Sequence, residues 1–199
     1  MDELTHLANL YGSDKGDKNL EKHHYTRVYS ELFVGLRLQP IRFVELGLLH
    51  PKNSQSSLLI WRDYFPNAQI LGFDILPMEN AIQGDIGVRS DLAQLGTEFD
   101  IVLDDASHAS EHQQTALGWF AKHMNPGGFY IIEDLHWQPN WSKGPKTKDV
   151  LEEFKEMGKI YSPHILAEEA FCLEDRVCDI SFYDSGKKAI GALVVLRFE

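Results

Sequence analysis

Apolar positions along this chain change period several times, and each change predicts an element. Leu4, Leu7 and Leu10 recur at helical spacing. A turn-like stretch, Tyr11-Gly12-Ser13-Asp14-Lys15-Gly16, follows, and then a second helical stripe through Tyr25, Val28, Tyr29, Leu32, Phe33 and Leu36 that Pro40 ends. Beyond it the chain alternates short, nearly continuous apolar runs with helical stretches. The runs are Ile41 to Leu46, Gln69 to Ile75, Phe99 to Leu103 and Phe129 to Ile132, as expected of strands covered on both faces. Between them lie a stripe of Leu58, Trp61 and Phe65 stopped by Pro66, and one of Leu117, Phe120, Ala121 and Met124 stopped at Pro126-Gly127-Gly128. Ser110 with Gln113 three positions later fits a capping box at the start of that second helix. A further helix through Val150, Leu151, Phe154 and Met157 precedes two runs, Asp179 to Tyr183 and Ala189 to Phe198, whose separation by Asp184-Ser185-Gly186-Lys187-Lys188 predicts an antiparallel hairpin.

The expected architecture is therefore α/β: a doubly wound, mostly parallel, Rossmann-like sheet with a carboxy-terminal antiparallel hairpin and an amino-terminal helical extension. No repeat or Pro/Gly-rich linker divides the chain. We expect one domain over 1-199, with 1-40 as the extension and 41-199 as the α/β core.

Composition narrows the function classes. The 199 residues carry 19 Lys plus Arg against 30 Asp plus Glu, a formal net charge of −11. The basic residues cluster only in pairs such as Lys187-Lys188, so no basic face is available for phosphates and no nucleic-acid partner is expected. The two cysteines, Cys172 and Cys178, match neither a zinc pattern nor a disulfide framework and read as reduced thiols. No signal peptide and no membrane-length apolar window is present, which predicts a cytoplasmic protein without a membrane partner; a homo-oligomer stays open.

Every parallel-strand candidate runs into acid at its carboxyl end: Glu45, Asp74, Asp104-Asp105 and Glu133-Asp134. In open α/β sheets that edge is where ligands bind. One such carboxylate reads equally as a loop or cap residue, but four on one edge repel unless a cation or hydroxyl donors lie between them. A nicotinamide dinucleotide fails a test here. Glu45-Leu46-Gly47-Leu48-Leu49-His50-Pro51 has one glycine where the dinucleotide fingerprint needs three. S-adenosylmethionine carries no phosphate and a sulfonium cation, and so suits a permissive turn with acidic neighbours.

The residues Glu45-Leu46-Gly47, Ser57-Leu58, Trp61, Phe65-Pro66-Asn67-Ala68, Gly72-Phe73-Asp74, Gly84-Asp85, Asp104-Asp105-Ala106-Ser107-His108, Pro126-Gly127-Gly128 and Ile132-Glu133-Asp134 together resemble the class I S-adenosylmethionine-dependent methyltransferases. They are most similar to the metal-dependent sugar O-methyltransferases of the macrocin and mycinamicin type. The likeness covers roughly residues 11-136, with Tyr11 to Lys15 and His24-Tyr25-Thr26 included. It implies that Glu45, Gly47 and Asp74 hold the amino-acid part and ribose of the cofactor, that Asp85 lies at the adenine end, and that Asp104 lies near the sulfonium. It further implies Asp105, Glu133 and Asp134 as magnesium ligands and His108 as general base. Ser57 or Asn53 would donate to the cofactor carboxylate. The departure from the family is the loop Leu48 to Ser56, where His50-Pro51-Lys52-Asn53-Ser54 stands in place of glycines.

The chemistry is consistent with those residue types. An alkyl hydroxyl is a very weak acid, so its methylation needs a cation to stabilise the alkoxide and a base to take the proton, and a carboxylate-bound magnesium beside a histidine supplies both. The expected activity is a magnesium-dependent O-methyltransferase acting on a small diol-bearing molecule, with a sugar as first candidate and a catechol as second. Two other readings stay open at this point: a non-haem iron oxygenase built on His108, Asp105 and His136, and a degenerate, non-catalytic methyltransferase fold. Trp137 and Trp141, flanking Pro139, read either as an apolar lid over the acceptor or as core cover. His23-His24 read first as solvated and second as a substrate contact, and the Tyr-rich stripe as core or oligomer contact.

Overall fold

The computed structural model describes residues 2–18, 23–48, 56–184 and 192–199. Its centre is a seven-stranded sheet formed by β1 (Arg42–Leu46), β2 (Gln69–Asp74), β3 (Ala81–Gln83), β4 (Phe99–Asp104), β5 (Met124–Ile132), β6 (Val177–Tyr183) and β7 (Leu193–Phe198), in the order β3-β2-β1-β4-β5-β7-β6. The first five strands are parallel, and β7 runs antiparallel between β5 and β6. The predicted α/β architecture is the one observed. The hairpin differs in one respect: its second strand inserts beside β5 and leaves β6 on the edge. Its expected turn, and the start of its second run, fall at 185–191, outside the described residues.

Helices cover both faces. On one lie α1 (Glu3–Tyr11), α2 (Thr26–Phe33) and α3 (Ser56–Tyr64); on the other lie α4 (Arg89–Leu92), α5 (Ser110–Ala121), α6 (Thr147–Met157) and α7 (Ala167–Arg176). Two cores result. Phe43, Ile101, Leu103 and Ile131 face Leu4, Tyr29, Phe33, Leu58 and Trp61, whereas Val44, Val102, Tyr130 and Ile132 face Leu117, Phe120, Leu151 and Leu173. Successive strand residues point to opposite faces, so a continuous apolar run is what a strand buried on both sides requires. The amino-terminal helices therefore complete a core of the sheet.

Three local expectations change. The strand expected from Phe129 begins at Met124, and its Pro126-Gly127-Gly128 lies in a register shift, with Phe99 opposite Met124 and Ile101 opposite Phe129. The capping box at Ser110 is not formed: Ala109 is the cap, and the Ser110 hydroxyl sits inside the first turn, where it accepts from the Thr147 amide at 3.0 Å. Helix α7 and strand β3 had no periodic signal. The first buries only Glu169 and Leu173, and the second is three residues long.

Candidate active site

Sheet order reverses between β1 and β4, and the crevice at that switch point is where such sheets bind ligands. Register explains what gathers there. Leu46 pairs with Asp104 and Asp104 with Ile132, so the next positions, Gly47, Asp105 and Glu133, leave the sheet at one level. Side chains alternate, so Asp105 and Glu133 share the face of Glu45, two residues back along its strand, while Asp104 points to the other. Asp104 accordingly lies in the opposite core, where the Tyr130 hydroxyl donates to Oδ2 at 3.3 Å and burial pushes its carboxyl up to about 7. It does not itself line the cavity described below, although the next residues, Asp105 and Ala106, do.

Gly47 is held at φ 87°, and a Cβ there would lie 2.4 Å from Ala106 Cα and 2.5 Å from the Asp105 carbonyl oxygen. The single glycine of the first loop is thus required by the crossing of the β1 and β4 exits, rather than by a pyrophosphate. Asp74 ties down two neighbouring segments: Oδ2 accepts from the Leu48 amide and Oδ1 from the Leu76 amide, each at 2.8 Å. Asp85 accepts from the Gly87 amide at 2.8 Å. These residues, with Ser57, Glu45, Ile86, His112 and Trp137, line a cavity of about 820 Å³ that also contains Lys15, Asp105, His108 and Asp134. Such a volume accommodates a nucleoside cofactor and part of a second molecule. His50, Asn53 and the rest of 49–55 lie outside the described residues.

Asp105, His108 and Asp134 bring one potential ligand atom each to within 4.8 Å of one another. His108 and Asp134 both adopt left-handed backbone conformations, φ 56° and 54°, uncommon for residues other than glycine. The turn at Asp134 reverses the alternation that would otherwise carry its side chain away from Asp105. Among the described residues His108 Nδ1 is buried without a hydrogen-bond partner, and the ring meets Trp137 edge to face at 5.4 Å. His136 lies 3.9 Å from Asp134 outside the three-residue group, so the cluster contains one imidazole and two carboxylates. That set suits a hard divalent cation better than the two-histidine arrangement of an iron oxygenase.

Glu133, the expected third ligand, lies beside this three-residue group and has partners of its own. Its Oε2 accepts from Lys15 Nζ at 2.8 Å, and its Oε1 takes the hydroxyl of Tyr29. Lys15 also donates to Asp105 Oδ2 at 2.6 Å and lies 3.8 Å from Glu45 Oε1. Burial would depress the Lys15 pKa, but the charges of Asp105, Glu133 and Glu45 outweigh it and hold the ammonium well above the ordinary lysine range. Burial, reinforced by Asp105, pushes Glu133 up. Burial raises Glu45 to about 7 against the opposing pull of Lys15 and of hydrogen bonds from Ser57 and Trp61.

Lys15, Tyr25 and Tyr29 were not foreseen at the site. Tyr25 donates to Asp134 Oδ1 at 2.7 Å, and His23 Nδ1 lies 3.4 Å from the same oxygen. The sequence signal was faint: tyrosine rather than phenylalanine at two positions of an apolar stripe, and a lysine in a turn. Trp137 and Trp141 are both more than half exposed, and of the two only Trp137 lines the cavity.

No family model matches the chain. Among curated proteins, the 8-demethyl-8-(2-methoxy-alpha-L-rhamnosyl)-tetracenomycin-C 3'-O-methyltransferase of Streptomyces olivaceus is 38% identical in an alignment of length 146 that covers 67% of this chain and 37% of that protein. The mycinamicin VI 2''-O-methyltransferase of Micromonospora griseorubida is 35% identical in an alignment of length 152 that covers 70% of this chain and 37% of that protein. The chain thus spans little more than a third of the length of these relatives. The structure of MycE methyltransferase from the mycinamycin biosynthetic pathway, in complex with Mg and SAH, superposes with a TM-score of 0.78 at 24% identity, over 99% of this chain and 55% of that one. With relatives of that kind over two thirds of its sequence and the same fold along its length, the chain belongs to the class I S-adenosylmethionine-dependent methyltransferases.

Proposed function

We propose that the chain binds S-adenosylmethionine and magnesium and methylates a hydroxyl of a small diol-bearing molecule, a sugar before a catechol. The observation that carries this reading is the convergence of Asp105, His108 and Asp134 in the same cavity as Gly47, Asp74 and Asp85. The residues present fit both groups. Asp105 and Asp134 offer hard oxygen donors, and Nδ1 of His108 is a polar atom buried without a partner among the described residues. Asp74 uses one lone pair of each oxygen on backbone amides and keeps others for a ribose diol. The sugar O-methyltransferase names of its relatives support the choice of acceptor class.

In this reading the sulfonium cofactor supplies the methyl group, and magnesium stabilises the negative charge developing on the acceptor oxygen. Asp105 and Asp134 would hold the cation, and Tyr25 holds Asp134 in place. Gly47 lets the β1 exit cross close against residues 105–106, so the cofactor end and the metal end of the cavity are built from touching backbone. His108 would take the acceptor's hydroxyl proton as the methyl group passes from sulfur to that oxygen, so that the products would be a methyl ether and S-adenosylhomocysteine. Trp137, against His108, presents an apolar face to the acceptor.

Thermal unfolding with S-adenosylhomocysteine tests the reading. Ligand at about 100 times its dissociation constant adds roughly 2.7 kcal/mol, and each kcal/mol raises the midpoint of a domain this size by about 2–4 °C. A shift of that order is expected. None at millimolar nucleoside would overturn the cofactor assignment.

A further inference from the structure

The buried ammonium of Lys15 occupies a place that the acidic edge would otherwise leave to a metal. Its side chain is 3% exposed; it touches Asp105 at 2.6 Å and Glu133 at 2.8 Å, and Glu45 lies 3.8 Å away. Three carboxylates from three parallel strand ends thus face one fixed positive charge contributed by the turn after α1. Asp105 is shared between this cluster and the Asp105–His108–Asp134 group. Tyr29 takes the other oxygen of Glu133, so each of its oxygens already holds one protein donor.

We infer that Lys15 is a positioning residue that acts as an internal cation: it holds Asp105 and Glu133 in register and competes with the divalent ion for their charge. The inference rests on the proposed metal site and deepens it. Two consequences separate it from a merely structural pin. A unit positive charge against Asp105 repels a divalent ion bound to the same carboxylate, so its presence weakens metal affinity and keeps the ion exchangeable. Its removal also frees Glu133 to serve the metal as a further oxygen donor. A structural pin has the opposite sign, since its loss disorders Asp105 and weakens binding.

The test is Mn2+ binding, followed by electron paramagnetic resonance at pH 8, to the parent chain and to the Lys15→Met and Lys15→Arg variants, with far-UV circular dichroism confirming the fold. Mn2+ is expected to bind Lys15→Met at least about 10-fold more tightly than the parent, and Lys15→Arg within about 3-fold of it, because Arg keeps the charge. Equal or weaker binding to folded Lys15→Met overturns the inference while leaving the metal site standing. Binding to neither protein overturns both the inference and the magnesium part of the proposed function; the S-adenosylhomocysteine shift still reports on the cofactor. Should Lys15→Met fail to fold, lysine side-chain 1H–15N spectra of the parent decide the matter. Saturating Mg2+ is expected to move the Lys15 ammonium signal, and an unmoved signal overturns the competition.

Discussion

Tyr25 donates its hydroxyl hydrogen to Asp134 Oδ1 across 2.7 Å, joining residues 109 positions apart in the chain. The ring is buried against Tyr29 and His23, so the geometry of a side chain at the end of β5 depends on packing at the start of α2. Tyr25→Phe keeps the ring and deletes the bond. Because hydrogen bonds to charged groups contribute about 1.5–3 kcal/mol, the variant is expected to lose stability of that order in urea unfolding. Unchanged stability would mean that Asp134 is positioned by its backbone alone.

Gly47→Ala is expected to be severe. The added methyl meets backbone at 2.4 and 2.5 Å, where no rotamer can relieve it, and the residue keeps a positive φ. Overpacking of this kind costs about 1–3 kcal/mol before backbone strain is added. The thermal midpoint should fall by several degrees and the S-adenosylhomocysteine shift should disappear. A variant that binds nucleoside like the parent would show that the two strand exits can separate without cost.

Glu45 makes stability depend on pH in a definite direction. Its folded pKa of about 7 exceeds the ordinary value of 4.5, so between those values the folded chain keeps a proton that the unfolded chain has released. Stability from this group is therefore greatest below pH 4.5 and falls as pH rises to about 7. Glu45→Gln removes the dependence. Relative to the parent it should gain up to about 3 kcal/mol between pH 4.5 and 7.5, read as the difference between two urea-unfolding series. Parallel series would show that Glu45 stays charged throughout.

His108→Ala separates binding from chemistry. The variant should retain the S-adenosylhomocysteine shift and lose about 10²–10⁴-fold in turnover on an accepted diol, the usual contribution of a positioned proton acceptor. Comparable methyl transfer by the variant would remove His108 as the base.

Much of the fold was legible because its cause is local. Continuous apolar runs such as Phe99 to Leu103 are buried on both faces whatever their neighbours, and each ended in acid at an edge the parallel topology brings together. The elements that escaped notice carry little hydrophobic signal of their own: β3 has three residues, and α7 is fixed by Arg89, whose guanidinium pairs with Glu169 at 2.6 Å.

Sequence by itself determined the order of the longer elements, the sheet class, the acidic edge and the relationship to sugar O-methyltransferases, since periodicity and short motifs survive without coordinates. Tertiary structure alone decided which carboxylate does what. Alternation past β4 sends Asp104 into one core and Asp105 to the opposite face and the cavity, left-handed turns at His108 and Asp134 aim their side chains together, and Lys15 with Tyr29 contacts both oxygens of Glu133. Those distinctions rest on which face a residue meets and on partners some 90 to 118 positions away, and no local pattern encodes either.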